Sequence, residues 1–278
     1  MQRLVHRPIR SPILQSPIQR LTLSAVLVLS ALPATAAMVD KPVDWTIGKD
    51  RFTGVLVYDD VNAIPRPGLV MVPNWQGINP SAIEKARQIA GDDYVVLVAD
   101  VYGSNIRPKN DEEAGKVAGP LRDDRPTLRA RVEKSVAVLK AQAGKVPVDA
   151  KRIGALGFCF GGTTALELVR GGSELAGVVS LHGGLSTPLP AKDDAVRTPV
   201  LVLNGADDRG ITDEDIAAFE KEMDAAGADW QFVNFSGAVH CFAEADAHNP
   251  PGCVYNERAA KRAYEMMFDF FRERFAAK

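Results

Sequence analysis

Cysteine, aromatic residues and long apolar runs are all scarce in this sequence. Three cysteines in 278 residues are too few to frame a disulfide-stapled fold, and no C-x-x-C pair suggests a structural zinc site. Charge is nearly balanced, with 33 Lys and Arg against 35 Asp and Glu and a formal net of -2. There is thus no basic field to recommend a nucleic-acid partner. The apolar run LTLSAVLVLSAL, residues 21–32, is too short to cross a bilayer comfortably, since a span needs about 20 residues. No internal repeat or low-complexity tract occurs. What remains is the composition of an ordinary globular protein, 46% hydrophobic and 24% charged, with 23 Gly and 18 Pro.

That apolar run sits in a recognisable context. Arg3, Arg7, Arg10 and Arg20 precede it without any acidic residue, and the small-x-small site Ala34-Thr35-Ala36 follows it. A basic segment, an apolar core and a small-residue site in this order predict a cleaved secretory signal peptide over residues 1–36. Residues 37–278 are then a single domain, periplasmic or secreted, without a stable membrane anchor and mildly acidic once the four arginines are gone. All three cysteines stay in it. An oxidising compartment makes any free thiol there one that needs a reason.

Past a linker rich in Val and Pro, short apolar runs alternate with stretches of helical periodicity. Strands are predicted at 52–58, 68–73, 94–100, 153–157, 176–181, 199–204 and 230–235, the first as part of a hairpin with partners upstream. Helices are predicted at 81–90, 125–143, 160–170, 213–226 and 257–275. This alternation implies an α/β fold with a mostly parallel central sheet covered by helices on both faces.

The chemistry concentrates where the strand at 153–157 meets the helix at 160–170. Between them lies Gly157-Phe158-Cys159-Phe160-Gly161, a G-x-C-x-G turn. A nucleophile at such a turn is held in a strained backbone, and flanking glycines avoid clashes with strand and helix. The helix start behind Cys159 favours thiolate over thiol. In chain order the expected acid and base follow at later strand ends: Asp208, with Asp207 as the alternative, and then His240. His240 would exchange a proton with Cys159, and Asp208 would fix its tautomer. Backbone N–H groups of Phe160 and of Trp75 are the candidate donors of an oxyanion hole. His182 ends a strand and is read as bordering the pocket, and His248 as a solvated loop residue. Cys241 and Cys253 are either a disulfide or two packed thiols.

Four segments together carry a resemblance. GFCFGG at 157–162, NGADD at 204–208, GAVHCF at 237–242 and the loop PNWQGIN followed by ADVYG resemble the dienelactone hydrolase (carboxymethylenebutenolidase) family, over residues 54 to 275. The resemblance implies an α/β-hydrolase fold and metal-independent hydrolysis of small esters or lactones, without a cofactor, by a triad of Cys159, His240 and Asp208. It also places Asn74, Tyr102 and Glu244 at the substrate pocket, beside the strand-end His182. Asn74 stands where characterised members carry Glu, and Ser104 and Glu244 stand where the best-known members hold a substrate carboxylate with arginines. An anionic dienelactone would lose its partners and meet a negative charge at Glu244, so a different substrate is expected. Arg107 is either a compensating cation or a solvated loop residue. Acyl transfer or thioester cleavage by the same triad is the neighbouring alternative, and a non-catalytic binding module on the same fold is the more distant one.

Overall fold

The computed structural model describes residues 38–276 with the exception of Asn62; the expected signal peptide lies outside the described residues. Strands with no polar alternation must be covered on both faces. The near-continuous buried runs are β3 (Arg66–Val72), β4 (Val95–Val98), β5 (Val148–Phe158), β6 (Val178–Leu181) and β7 (Val200–Gly205). They fill the middle of an eight-stranded sheet ordered β1-β2-β4-β3-β5-β6-β7-β8, with β1 (Met38–Ile47), β2 (Asp50–Asp59) and β8 (Trp230–Phe235) completing it. β2 pairs antiparallel with both β1 and β4, and the other pairs are parallel.

Side chains alternate across each strand, and the core divides accordingly. Val70 and Val72 of β3 face α2 (Asp111–Asp123), α3 (Arg125–Lys140), α4 (Phe160–Arg170) and α5 (Asp213–Ala225), in a cluster with Leu128, Val132, Ala165 and Phe219. Leu69 and Met71 face α1 (Pro80–Ala90) and α6 (Glu257–Ala276), in a second cluster with Ala86, Ile89, Met267 and Phe271.

The hairpin partner expected upstream of 52–58 is the edge strand β1, which takes up the segment read as a linker and runs in register with β2 from Met38 opposite Asp59 to Ile47 opposite Asp50. Its anchor is Trp45, buried and stacked on Phe52 with ring centroids 5.9 Å apart. Helix α2 has no counterpart in the predicted elements. Gly115, Gly119 and Pro120 make its sequence look like a loop. It forms because Asn110 caps Glu113 N–H, three acidic residues occupy the first turn, and Ala114, Ala118 and Leu121 bury one face.

Candidate active site

β5 ends at Phe158 and α4 begins at Phe160, so one residue makes the turn. Cys159 makes it with φ 54° and ψ -116°, a left-handed conformation that few non-glycine residues adopt. Positions 157 and 161, two residues to either side, must be glycine. A Cβ on Gly157 would lie 2.0 Å from the Gly161 carbonyl oxygen, and one on Gly161 would lie 2.0 Å from that of Val72. The Cys159 amide donates to Leu181 O at 3.0 Å, and its partly exposed thiol is the free cysteine of the described residues. Phe160, first in the helix, has an amide with no intrahelical acceptor.

The loops after β7 and β8 complete a chain of contacts. His240 Nε2 lies 3.0 Å from Cys159 Sγ, and His240 Nδ1 lies 2.6 Å from Asp208 Oδ2. Asp208 rather than the exposed Asp207 is the partner, and its other oxygen accepts from Gly210 N–H at 2.9 Å. Burial opposes a charge on His240, but hydrogen bonds and attraction from Asp208 and Cys159 outweigh it and raise its pKa from 6.5 to about 10. For Asp208 burial also opposes charge; the His240 contact and the Gly210 amide override it and lower the carboxyl below its usual 3.8. The arrangement stores a charged imidazolium between a carboxylate and a sulfur.

A cavity of about 450 Å³ opens above Cys159 and His240. Asn74, Trp75 and Gln76 form one wall, Asp111 and Arg122 of α2 another, and the segment from Cys241 to Cys253 a third. Asp111, Arg122 and Gln76 did not emerge from the sequence. The α2 residues were hidden with their helix, whose Asn110 cap and acidic first turn were the available signal. His248 is exposed, as expected of a loop residue, and lines the same wall. Cys241 and Cys253 are disulfide-bonded in the structure with Cα atoms 4.9 Å apart. The bond clasps a loop carrying the two-residue strands β9 (His248–Asn249) and β10 (Cys253–Val254), and Val254 N–H donates to His240 O at 3.1 Å.

The four expected pocket residues divide. Asn74 and Glu244 line the cavity; Tyr102 and His182 do not. Tyr102 is buried beside the wall, its hydroxyl donating to Trp75 O at 2.7 Å. His182 is fully buried, edge-on to His240 with ring centroids 5.1 Å apart, and burial holds its pKa well below 6.5 and the ring neutral. Glu244 is not the open negative charge expected from the sequence. It is 2% exposed, and its Oε2 accepts from Lys85 Nζ at 2.8 Å and from Asn74 Nδ2 at 2.7 Å. A carboxylate so enclosed requires a cation, and Lys85 of α1 supplies it. Arg107 is not a pocket cation either, since it binds Thr53 O, Gly103 O and Asp100.

A sequence model described as the dienelactone hydrolase family matches residues 52–275. The chain belongs to the dienelactone hydrolase family. Within the curated relatives, a Bradyrhizobium protein named "Probable 2-oxo-3-(5-oxofuran-2-ylidene)propanoate lactonase" is 29% identical over 196 residues, 66% of this chain and 77% of that one. Two solved structures superimpose over 85% of this chain and 98% of theirs. One, titled m3DLH, has 37% identity and a TM-score of 0.79. The other, a dienelactone hydrolase-like promiscuous phosphotriesterase from metagenomic libraries, has 34% identity and a TM-score of 0.80. The fold is accordingly that of the α/β hydrolases, and the chain is a hydrolase of this family. Asn74 and Glu244 are hydrogen-bonded to each other.

Proposed function

We propose that the protein hydrolyses small neutral carboxylic esters or lactones through Cys159, His240 and Asp208, without metal or other cofactor. The observation that carries this reading is the unbroken series Sγ–Nε2–Nδ1–Oδ2 at 3.0 and 2.6 Å, ending on a thiol at a strained turn. The Cys159 thiolate attacks the acyl carbon, and the carbonyl π electrons move onto oxygen. The backbone N–H groups of Phe160 and Trp75 receive that oxyanion. Collapse expels the alkoxide, which takes the His240 proton and leaves as alcohol, with a thioester on Cys159. Neutral His240 then takes a proton from water as the hydroxyl attacks the thioester. The acid departs and the thiolate–imidazolium pair is restored. Asp208 holds the His240 ring throughout.

Substrate charge follows from the walls. Around the cavity Arg122 is opposed by Asp111, the single cation Lys85 stands against both Glu244 and Asp246, and neither Ser104 nor Glu244 offers a cation. A neutral ester meets less repulsion there than an anionic one. Export to the periplasm or the medium belongs to the same proposal, supported by the leader pattern and by the bond between Cys241 and Cys253. A non-catalytic binding role has no support in a site so completely furnished.

Rapid acid quenching of a p-nitrophenyl acetate reaction, followed by peptide mass spectrometry, tests the mechanism. One acetyl group on the peptide bearing Cys159 is expected; acetylation confined to another nucleophile would contradict it.

A further inference from the structure

The polar cluster around Glu244 has no part in the steps above, although it abuts the atoms that perform them. We propose that Glu244 is a positioning residue for the oxyanion-binding loop: its buried carboxylate holds the Asn74 side chain, and through it the turn that carries Trp75. The inference rests on the ester-hydrolase reading of the site.

The connections can be followed atom by atom. Glu244 Oε2 accepts from Asn74 Nδ2 at 2.7 Å, and Asn74 Oδ1 accepts from Gln76 N–H at 3.0 Å. Asn74 O accepts from Gly77 N–H at 2.9 Å, closing the turn at Gly77, whose φ of 70° glycine adopts freely. From the other side the Tyr102 hydroxyl donates to Trp75 O at 2.7 Å. The Trp75–Gln76 peptide is thus fixed by Tyr102 at its oxygen and by the Asn74 side chain at its N–H, and the preceding peptide, which carries the Trp75 N–H, by the bond from Gly77 to Asn74 O. Without Glu244 the Asn74 amide has no partner in that direction, and an uncharged acceptor would hold it less strongly.

The carboxylate is itself held. Lys85 Nζ, 2.8 Å away, is anchored by Ser81 Oγ at 3.0 Å and by Asp246 at 3.4 Å. Glu244 N–H donates to Cys241 O at 2.9 Å, so the same backbone segment that carries His240 fixes Glu244. Its second oxygen lies 3.9 Å from Nε2 of the neutral His182. One cluster therefore spans the base and the oxyanion loop, and relates their positions to each other. The pairing also sets the residue at 74: a carboxylate there would face Glu244 at hydrogen-bonding distance, and the like charges would repel.

The test uses p-nitrophenyl acetate with the purified protein and its Asn74→Ala, Glu244→Ala and Glu244→Gln variants and the Ala double variant. Active sites are counted by iodoacetamide labelling of Cys159 under non-reducing conditions. Because misplacing a reacting group by about 1 Å costs on the order of 10²-fold, Glu244→Ala should lose about 10- to 10²-fold in kcat per labelled site with little change in KM. Asn74→Ala should lose a similar factor, and the double variant no more than either. Glu244→Gln keeps an acceptor for Asn74 and should recover most of the loss. Wild-type kcat per labelled site in Glu244→Ala, with only a lower Tm, would overturn the proposal, as would multiplicative losses in the double variant. Cys159→Ala is run alongside. Undiminished activity there would remove the underlying reading, and this one with it, whereas Cys159-dependent activity indifferent to Glu244 would remove this one alone.

Discussion

At the scale of single residues, the chemistry turns on where the His240 proton resides. Its pKa of about 10 is held up by Asp208 and by Cys159, against burial. The sign of the consequence is fixed. A base whose proton is held more tightly in the folded protein contributes stability that is fully present below its unfolded pKa near 6.5 and is lost as pH rises through about 10. Nuclear magnetic resonance of the histidine rings should show His240 protonated at pH 7, beside a neutral His182. In Cys159→Ala, which removes one of the two supports, the His240 titration should move down toward the ordinary range. An unmoved titration would mean that Cys159 does not help to hold the proton on His240. Asp208 works in the opposite direction, its contribution present above the ordinary 3.8 and lost in acid.

At the scale of elements, the segment after β8 does more than deliver His240. It closes on itself through the bond between Cys241 and Cys253, and the loop between them walls the cavity. Under non-reducing denaturing conditions iodoacetamide should add one label, on Cys159, and after reduction three. Reduction or Cys253→Ser should lower Tm, since closing a loop of this size is worth about 3 kcal/mol in the chain-entropy model. Three labels without reduction would contradict the clasp. Much of this geometry was legible in the sequence because it depends on short-range rules. Glycines at 157 and 161 announce the turn, and the acid and base sit at the ends of later strands. What could not be read depends on contacts between distant segments. Asn74 and Glu244 are 170 residues apart, and Lys85 approaches Glu244 from a helix that shows only its own periodicity. Helix α2 was obscured by local signals, because Gly115, Gly119 and Pro120 favour a loop until burial of Ala114, Ala118 and Leu121 overrides them.

At the scale of the whole molecule, the parallel strands put their C-terminal ends at one edge of the sheet, where sites collect in open α/β folds. β3 leads into the loop with Trp75, β5 into Cys159, β6 into His182, β7 into Asp208 and β8 into His240. Every group in the proposed mechanism therefore follows a strand, and the thiol is the one on which the others converge. The most direct test is steady-state hydrolysis of p-nitrophenyl acetate by the chain from Met38 onward, beside its Cys159→Ala variant. The wild type should turn over and the variant should fall by about 10³-fold or more in kcat/KM, to background. Equal turnover by both proteins would show that Cys159 is not the nucleophile.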